Sequence, residues 1–410
     1  MRTVTESELG RILGALPGVP RIVASGNFAA PYRLLAAADA ALAEFRLNML
    51  NAQPGIPDRE GVVHETAFVG PGMRGGERLR YLPCRLSLVP HLLRQRLAPD
   101  VVLLHTSPPT GGAVSLGVEV NVLPAAIEAA RARGGIVVAQ ANPAMPVTYG
   151  DALLDLDAVD YLLEVDEPLA THPVAAPDAT SRAIGERVAA LVPEQATLQL
   201  GIGAIPDATL DALLDRRGLR IWSEMFTDGA LALEKAGSLD RDTPVTASFC
   251  FGSAELYDWI DHNPRVRMLR TEKTNNPGTI AAHPHLMSIN SALQVDLFAQ
   301  ANASRIGGRT HSGFGGQTDF IVGAMHSPGG HAVIALRSWH PKADVSAVVP
   351  LVSGPVTSFQ HSFIVTDQGT AAIWGRDSVE QAQQILDHAA HPAARDDLRA
   401  AGREFGLPLI

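Results

Sequence analysis

Glu224 is the acidic side chain best placed to do chemistry. It lies in Ser223-Glu224-Met225-Phe226, just after an alternating strand-like stretch and just before a helix start at Thr227-Asp228. Upstream, Gly201-Ile202-Gly203 follows Leu198 and Leu200, which alternate in strand period, and opens a helix with Pro206 expected at its first position. Both stretches read as strand, turn and helix, so the carboxylate and the glycine turn share the carboxyl rim of a parallel sheet. Ligands bind at that rim, and a glycine turn there lets backbone N–H groups approach a phosphate or carbonyl oxygen. A second glycine run, Gly313, Gly315 and Gly316, can touch a ligand just as closely. A lone glutamate before a helix also suits the helix dipole, so residue type by itself leaves structural and catalytic roles open.

Competing sites are weaker. Glu272 sits in a polar turn, and Lys273 beside it suggests a solvated pair. His283, His285, His331, His340 and His361 lack the spacing of metal ligands, so no metal is expected. Ser107 and Ser115 have no His-Asp pattern to activate them.

The elements that must hold these residues read as α/β throughout. Arg21 to Ser25 is a short strand, followed by a helix from about Leu35 to Phe45, while Asn51 to Arg80 reads as loop. Asp100 to His105 and Ile136 to Ala139 are continuous apolar runs of the kind buried in parallel sheets. Pro124 to Arg133 is a helix between them. Periodicity lapses over Thr171 to Thr180, which divides the chain into domains of residues 1–178 and 179–410. In the second half Gln294 to Ala299 reads as a strand and Ser378 to Ala401 as helical.

Composition narrows the classes. With 410 residues and 46% hydrophobic content, two globular domains are expected. The net charge of -10 argues against nucleic acid or an anionic membrane surface as partner. The two cysteines, Cys84 and Cys250, form no C-x-x-C pair. They fit a reduced, cytoplasmic protein, and neither a signal peptide nor a membrane span is read in the chain.

Several stretches together resemble the acetyl-CoA hydrolase/transferase family, which includes 4-hydroxybutyrate and succinyl-CoA:acetate CoA-transferases. They are SPPTGGAVSLG (Ser107 to Gly117), ANPAMPVTYGD (Ala141 to Asp151), GIGAIPDA (Gly201 to Ala208), SEMFTDG (Ser223 to Gly229), SINSALQVDL (Ser288 to Leu297) and SGFGGQTDF (Ser312 to Phe320). The resemblance implies two CoA-transferase-type domains, each a mainly parallel sheet covered by helices. It implies that Glu224 is the nucleophile that carries coenzyme A as a glutamyl thioester. It also implies that Gly201, Ile202, Gly203, Ala204 and Ile205 contact coenzyme A, and that Gly313, Gly315 and Gly316 border the thioester. Acyl-CoA and a small carboxylate are the expected substrates, and a homodimer or larger homo-oligomer the expected assembly. A hydrolase on the same framework and a non-catalytic CoA-binding regulator stay open as alternatives. The chain departs from the family in Val365-Thr366-Asp367-Gln368-Gly369 and around Arg337.

Overall fold

The computed structural model describes residues 1–172, 176–354, 356–358 and 360–410. The lapse read at Thr171 to Thr180 falls partly on residues 173–175, outside the described ones. Contacts divide the chain into two compact units. Unit 1 comprises Met1–Pro173, Pro244–Thr274 and Arg309–Gly315; unit 2 comprises Val174–Thr243, Asn275–Gly308 and Gly316–Ile410.

The main sheet of unit 1 has eight strands: β1 (Arg2–Thr3), β2 (Arg21–Ala24), β3 (Phe45–Asn48), β4 (Val62–Thr66), β5 (Leu79–Tyr81), β6 (Val101–Thr106), β7 (Ile136–Ala141) and β8 (Tyr161–Glu164). Their order is β1-β8-β7-β6-β2-β3-β4-β5, and all are parallel. Every residue of β6 is buried, the apolar run Val101 to Leu104 and also His105 and Thr106. α1 (Glu6–Gly14), α2 (Tyr32–Ala41) and α3 (Leu123–Ala132) belong to the same unit. A capping box between Thr5 and Glu8 starts α1, and Phe45, Leu34 and Leu9 are among the side chains of the core. The stretch Asn51 to Arg80 is mostly irregular but not wholly loop, because β4 lies within it and β5 begins at its end. Both are short, and each pairs with the strand that precedes it across an irregular connection, which local pattern does not reveal.

The main sheet of unit 2 is formed by β9 (Thr197–Gln199), β10 (Arg220–Ile221), β11 (Leu286–Ser291), β12 (His331–Ala335), β13 (Phe363–Val365) and β14 (Thr370–Ala372). The order is β10-β9-β11-β12-β13-β14, parallel except for β14. Its helices include α4 (Ala179–Ala190), α5 (Ala204–Asp211), α6 (Asp228–Lys235), α7 (Gln317–His326), α8 (Ser378–His388) and α9 (Arg395–Glu404). The helical tail breaks between α8 and α9, where Pro392 opens a separate short turn. Gln294 to Ala299 contributes only a three-residue strand, Gln294–Asp296, to a small separate sheet.

Each sheet reverses its winding direction once. In unit 1 the chain moves outward from β2 to β5, then returns to β2's other side as β6. In unit 2 it steps from β9 to β10, then returns as β11. The carboxyl ends at such reversals open a crevice where α/β folds hold ligands.

Candidate active site

Gly201 follows β9 at the reversal point of unit 2. The turn leads into α5 through Gly203, whose φ of +117 suits glycine. α5 begins at Ala204, so Pro206 is its third residue rather than its first. The position is still within the first turn, where an absent N–H breaks no helical bond. A Cβ on Gly201 would stand 3.1 Å from the carbonyl oxygen of Ile289, so the turn is packed closely against β11. Ile202, Gly203 and Ala204 are exposed. Ala204 and Ile205 line a cavity of about 240 Å³ together with Ser291, Leu293, Arg337 and His340.

Ser223 ties Glu224 to this turn. Its hydroxyl accepts from the Leu200 N–H at 3.0 Å, and the Trp222 N–H donates to the Leu198 carbonyl at 3.1 Å. The residues preceding Gly201 and Glu224 are thereby clipped together across the end of the sheet. Glu224 is followed by the short strand Met225–Phe226, both buried, and then by α6, with Thr227 as its N-cap residue.

The Glu224 carboxyl receives the Asn275 amide at 2.7 Å and the Gly316 N–H. A Cβ on Gly316 would lie 1.7 Å from Oε2 of Glu224 and 2.2 Å from the Asn275 amide nitrogen, so any side chain here must push the carboxyl and the amide aside. Although the residue keeps some exposure, the protein packed around its carboxyl pushes the pKa up to about 7. The Asp319 charge adds to that rise, while Asn275 and Gly316 oppose it. A carboxylate held in this way is a better nucleophile than one in water and still ionises near neutrality.

The other two glycines of the late loop have neighbours in unit 1. A Cβ on Gly313 would come within 2.4 Å of the Ala67 carbonyl oxygen, and Gly315, at φ +55, packs on the Phe68 ring. Close packing against residues 67 and 68 accounts for glycine at both positions. Glu272 is not a solvated partner of Lys273. It accepts from Arg94 at 2.6 Å and Arg270 at 2.8 Å, while Lys273 pairs with Asp151 at 2.7 Å.

Asn275 and Asp319 are the site residues to which sequence reasoning gave no role, although Asp319 lies in the stretch Ser312 to Phe320. Nothing local marks either, since Asn275 reaches Glu224 across 51 residues. A second buried acid, Glu119, went unmarked in Gly117-Val118-Glu119-Val120. A charge enclosed by valines was the available signal, because a lone charge in an apolar run must be paired or functional.

Comparison with known proteins agrees with this architecture. The acetyl-CoA hydrolase/transferase N-terminal domain matches residues 23–173 and the C-terminal domain residues 252–402. The chain is 37% identical over 350 residues to 4-hydroxybutyrate coenzyme A transferase of Clostridium kluyveri, covering 82% of this chain and 80% of that protein. Its fold is similar to the crystal structure of RipA from Yersinia pestis, with a TM-score of 0.92, 27% identity and coverage of 99% and 98%. Against 4-hydroxybutyrate CoA-transferase from Porphyromonas gingivalis the TM-score is 0.83 at 30% identity, covering 98% of each chain. Fold and relatives together define an enzyme that acts on acyl-CoA. The chain belongs to the acetyl-CoA hydrolase/transferase family.

Proposed function

We propose that this enzyme is a CoA-transferase that moves coenzyme A between small carboxylic acids through a thioester on Glu224. The observation that carries the reading is a carboxyl beyond a strand's carboxyl end, raised to about 7 and held by the Asn275 amide and the Gly316 N–H. Ionised Glu224 attacks the acyl-CoA carbonyl, giving a mixed anhydride and CoA thiolate. The thiolate then attacks the glutamyl carbonyl and the acyl group leaves as its carboxylate. An acceptor carboxylate reverses these steps, so the kinetics are ping-pong.

Rate comes from geometry fixed before reaction and from donors aimed at the oxyanion. The Gly316 N–H and the Asn275 amide are the donors in this proposal. Gly201, Ile202, Gly203, Ala204 and Ile205 are assigned to coenzyme A binding, with the adjoining cavity of about 240 Å³ as room for part of it. Gly313 and Gly315 are assigned, with Gly316, to the loop bordering the thioester. The partial exposure of Glu224 favours one second reading, an acyl-CoA hydrolase in which water takes the acceptor's place. A cytoplasmic location and a homodimer or larger assembly are part of the proposal. Among the described residues no helix is long and apolar enough to cross a membrane.

The test is intact-mass measurement after incubation with short-chain acyl-CoA esters and acid quench. A CoA adduct in the wild type that is lost in Glu224→Ala supports the covalent route. Absence of any adduct, with acyl-CoA still bound, rejects it. Thiol release without an added acceptor acid, compared with CoA transfer, separates hydrolase from transferase.

A further inference from the structure

We propose that Asp319 is a positioning residue that acts through Glu224, placing a second carboxylate beside the nucleophile so that every uncharged form of Glu224, the thioester included, is favoured. The inference rests on the acyl-transfer reading above.

The geometry follows from α7. Gly316 is the N-cap of that helix with φ -95 and ψ -3, and Asp319 is its third residue. On a helix, Cβ positions three residues apart are about 5–6 Å from each other. Since the Cβ position of Gly316 lies 1.7 Å from Oε2 of Glu224, the Asp319 side chain starts within several ångströms of that oxygen. Asp319 is fully buried, so water screens its charge only from the side of Glu224.

The groups acting on Glu224 include two neutral donors, Asn275 and Gly316, and the charged Asp319, which raises its proton affinity. Asp207, at the α5 side, is influenced by Asp211 and Asp228. Two carboxylates sharing a poorly hydrated site repel, and removing one charge relieves the repulsion. Protonation does so, and so does acylation.

The donor half-reaction achieves the second. One Glu224 oxygen bonds to the acyl carbon as the C–S bond breaks and CoA leaves as thiolate. The thiolate sulfur then bonds to the Glu224 carbonyl carbon, and the bond from that carbon to the bridging oxygen breaks. The acyl group departs as a carboxylate carrying an oxygen from Glu224. No proton is gained or lost, and one negative charge passes from Glu224 to the free acid. Asp319 thus raises the energy of the resting carboxylate relative to the thioester, which counters the tendency of a thioester to revert.

The experiment measures the thioester fraction by intact mass in wild type, Asp319→Asn and Asp319→Glu. Each protein is equilibrated with a short-chain acyl-CoA and its free acid at several fixed ratios and pH values, with melting curves confirming the fold. Asp319→Asn is expected to need on the order of tenfold more acyl-CoA relative to acid for the same thioester level. Its pH midpoint for thioester formation should move down, and Asp319→Glu should stay near wild type. Should Asp319→Asn fail to fold, Asp319→Ser serves in its place. Unchanged ratio and midpoint in the uncharged variant, with thioester still forming, overturn the role of Asp319 alone. No thioester in the wild type with any ester overturns the acyl-transfer reading as well.

Discussion

Glu119 meets the chain leaving β2 in unit 1 and Glu224 follows β10 in unit 2, and burial lifts both to about 7. Their surroundings differ. Glu119 is 2% exposed and accepts three hydrogen bonds, from the Gly26 N–H at 3.1 Å, the Asn27 amide at 2.6 Å and the Asn121 amide at 3.0 Å. Asn27 in turn accepts from Asn51 at 2.8 Å, and both asparagines hold left-handed backbone, φ 44 and 46. Glu119 is thus a strut that fixes the chain leaving β2 and β3. Glu224 keeps some exposure, faces a negative neighbour and crowds a glycine. Proton affinity alone does not separate a reactive carboxyl from a structural one. Access and the sign of the neighbouring charge do.

The largest effect that separates them is Glu224→Gln. Transfer activity should fall by at least ~10³-fold with little change in melting temperature, because the nucleophile is lost while its volume and an amide acceptor remain. Comparable loss in Glu119→Gln would erase the distinction. Next in size is Gly316→Ala. The helical φ of Gly316 tolerates alanine, yet the new methyl group occupies the space of Oε2. Displacing the carboxylate by about an ångström should reduce kcat by roughly 10²-fold. Steady-state kinetics on a folded variant with unchanged kcat would place the reacting oxygen elsewhere.

Glu119→Ala should act on stability instead. It leaves Gly26, Asn27 and Asn121 without their acceptor, at a cost of about 3 kcal/mol, read in denaturant unfolding. Glu119→Gln restores an acceptor and should lose less. The pH dependence has a definite sign. Burial raises the folded pKa of Glu119 to about 7 from an ordinary carboxylate value near 4.5, so the folded state binds its proton more tightly. That contribution is complete below the unfolded pKa and is lost as pH rises through about 7. The Gln variant should show a flatter stability profile over this window. Glu224 has the same sign but a kinetic readout. The donor half-reaction should speed up with pH and level off above about 7, as the nucleophile ionises. Asn275→Ala should shift that profile upward, since the amide favours the charged form.

These side chains also mark how far the sequence is legible. Leu198 with Leu200, the turn Gly201 to Gly203 and the start of α6 were visible because each is a local pattern of period, turn and cap. β6 was equally plain as an unbroken apolar run. What escaped depends on partners outside the local stretch. β4 and β5 become strands through pairing with neighbours in the sheet, and Asn275 acquires its role across a 51-residue separation. Gly313, Gly315 and Gly316 look alike in sequence. Only their packing separates the two that meet Ala67 and Phe68 from the one that meets Glu224.

A third carboxylate, Glu272, carries the comparison to its smallest expected effect. It closes a ring in unit 1 in which Arg94 and Arg270 each bridge Glu272 and Glu128, at distances from 2.6 to 3.0 Å. Two guanidiniums converge on its Oε1, where Glu224 has a like charge nearby, so Glu272 is a member of an ion-pair ring and a poor candidate for attack. The ring is partly exposed, and such pairs contribute roughly 0–1 kcal/mol each. Glu272→Gln should therefore leave CoA transfer unchanged and lower the melting temperature by a degree or two at low salt. The difference should shrink in 1 M salt, where the screening length is only about 3 Å. If Glu272→Gln instead abolished transfer while remaining folded, a carboxylate enclosed by arginines would be the reactive one, and the contrast in neighbouring charge would fail as a criterion.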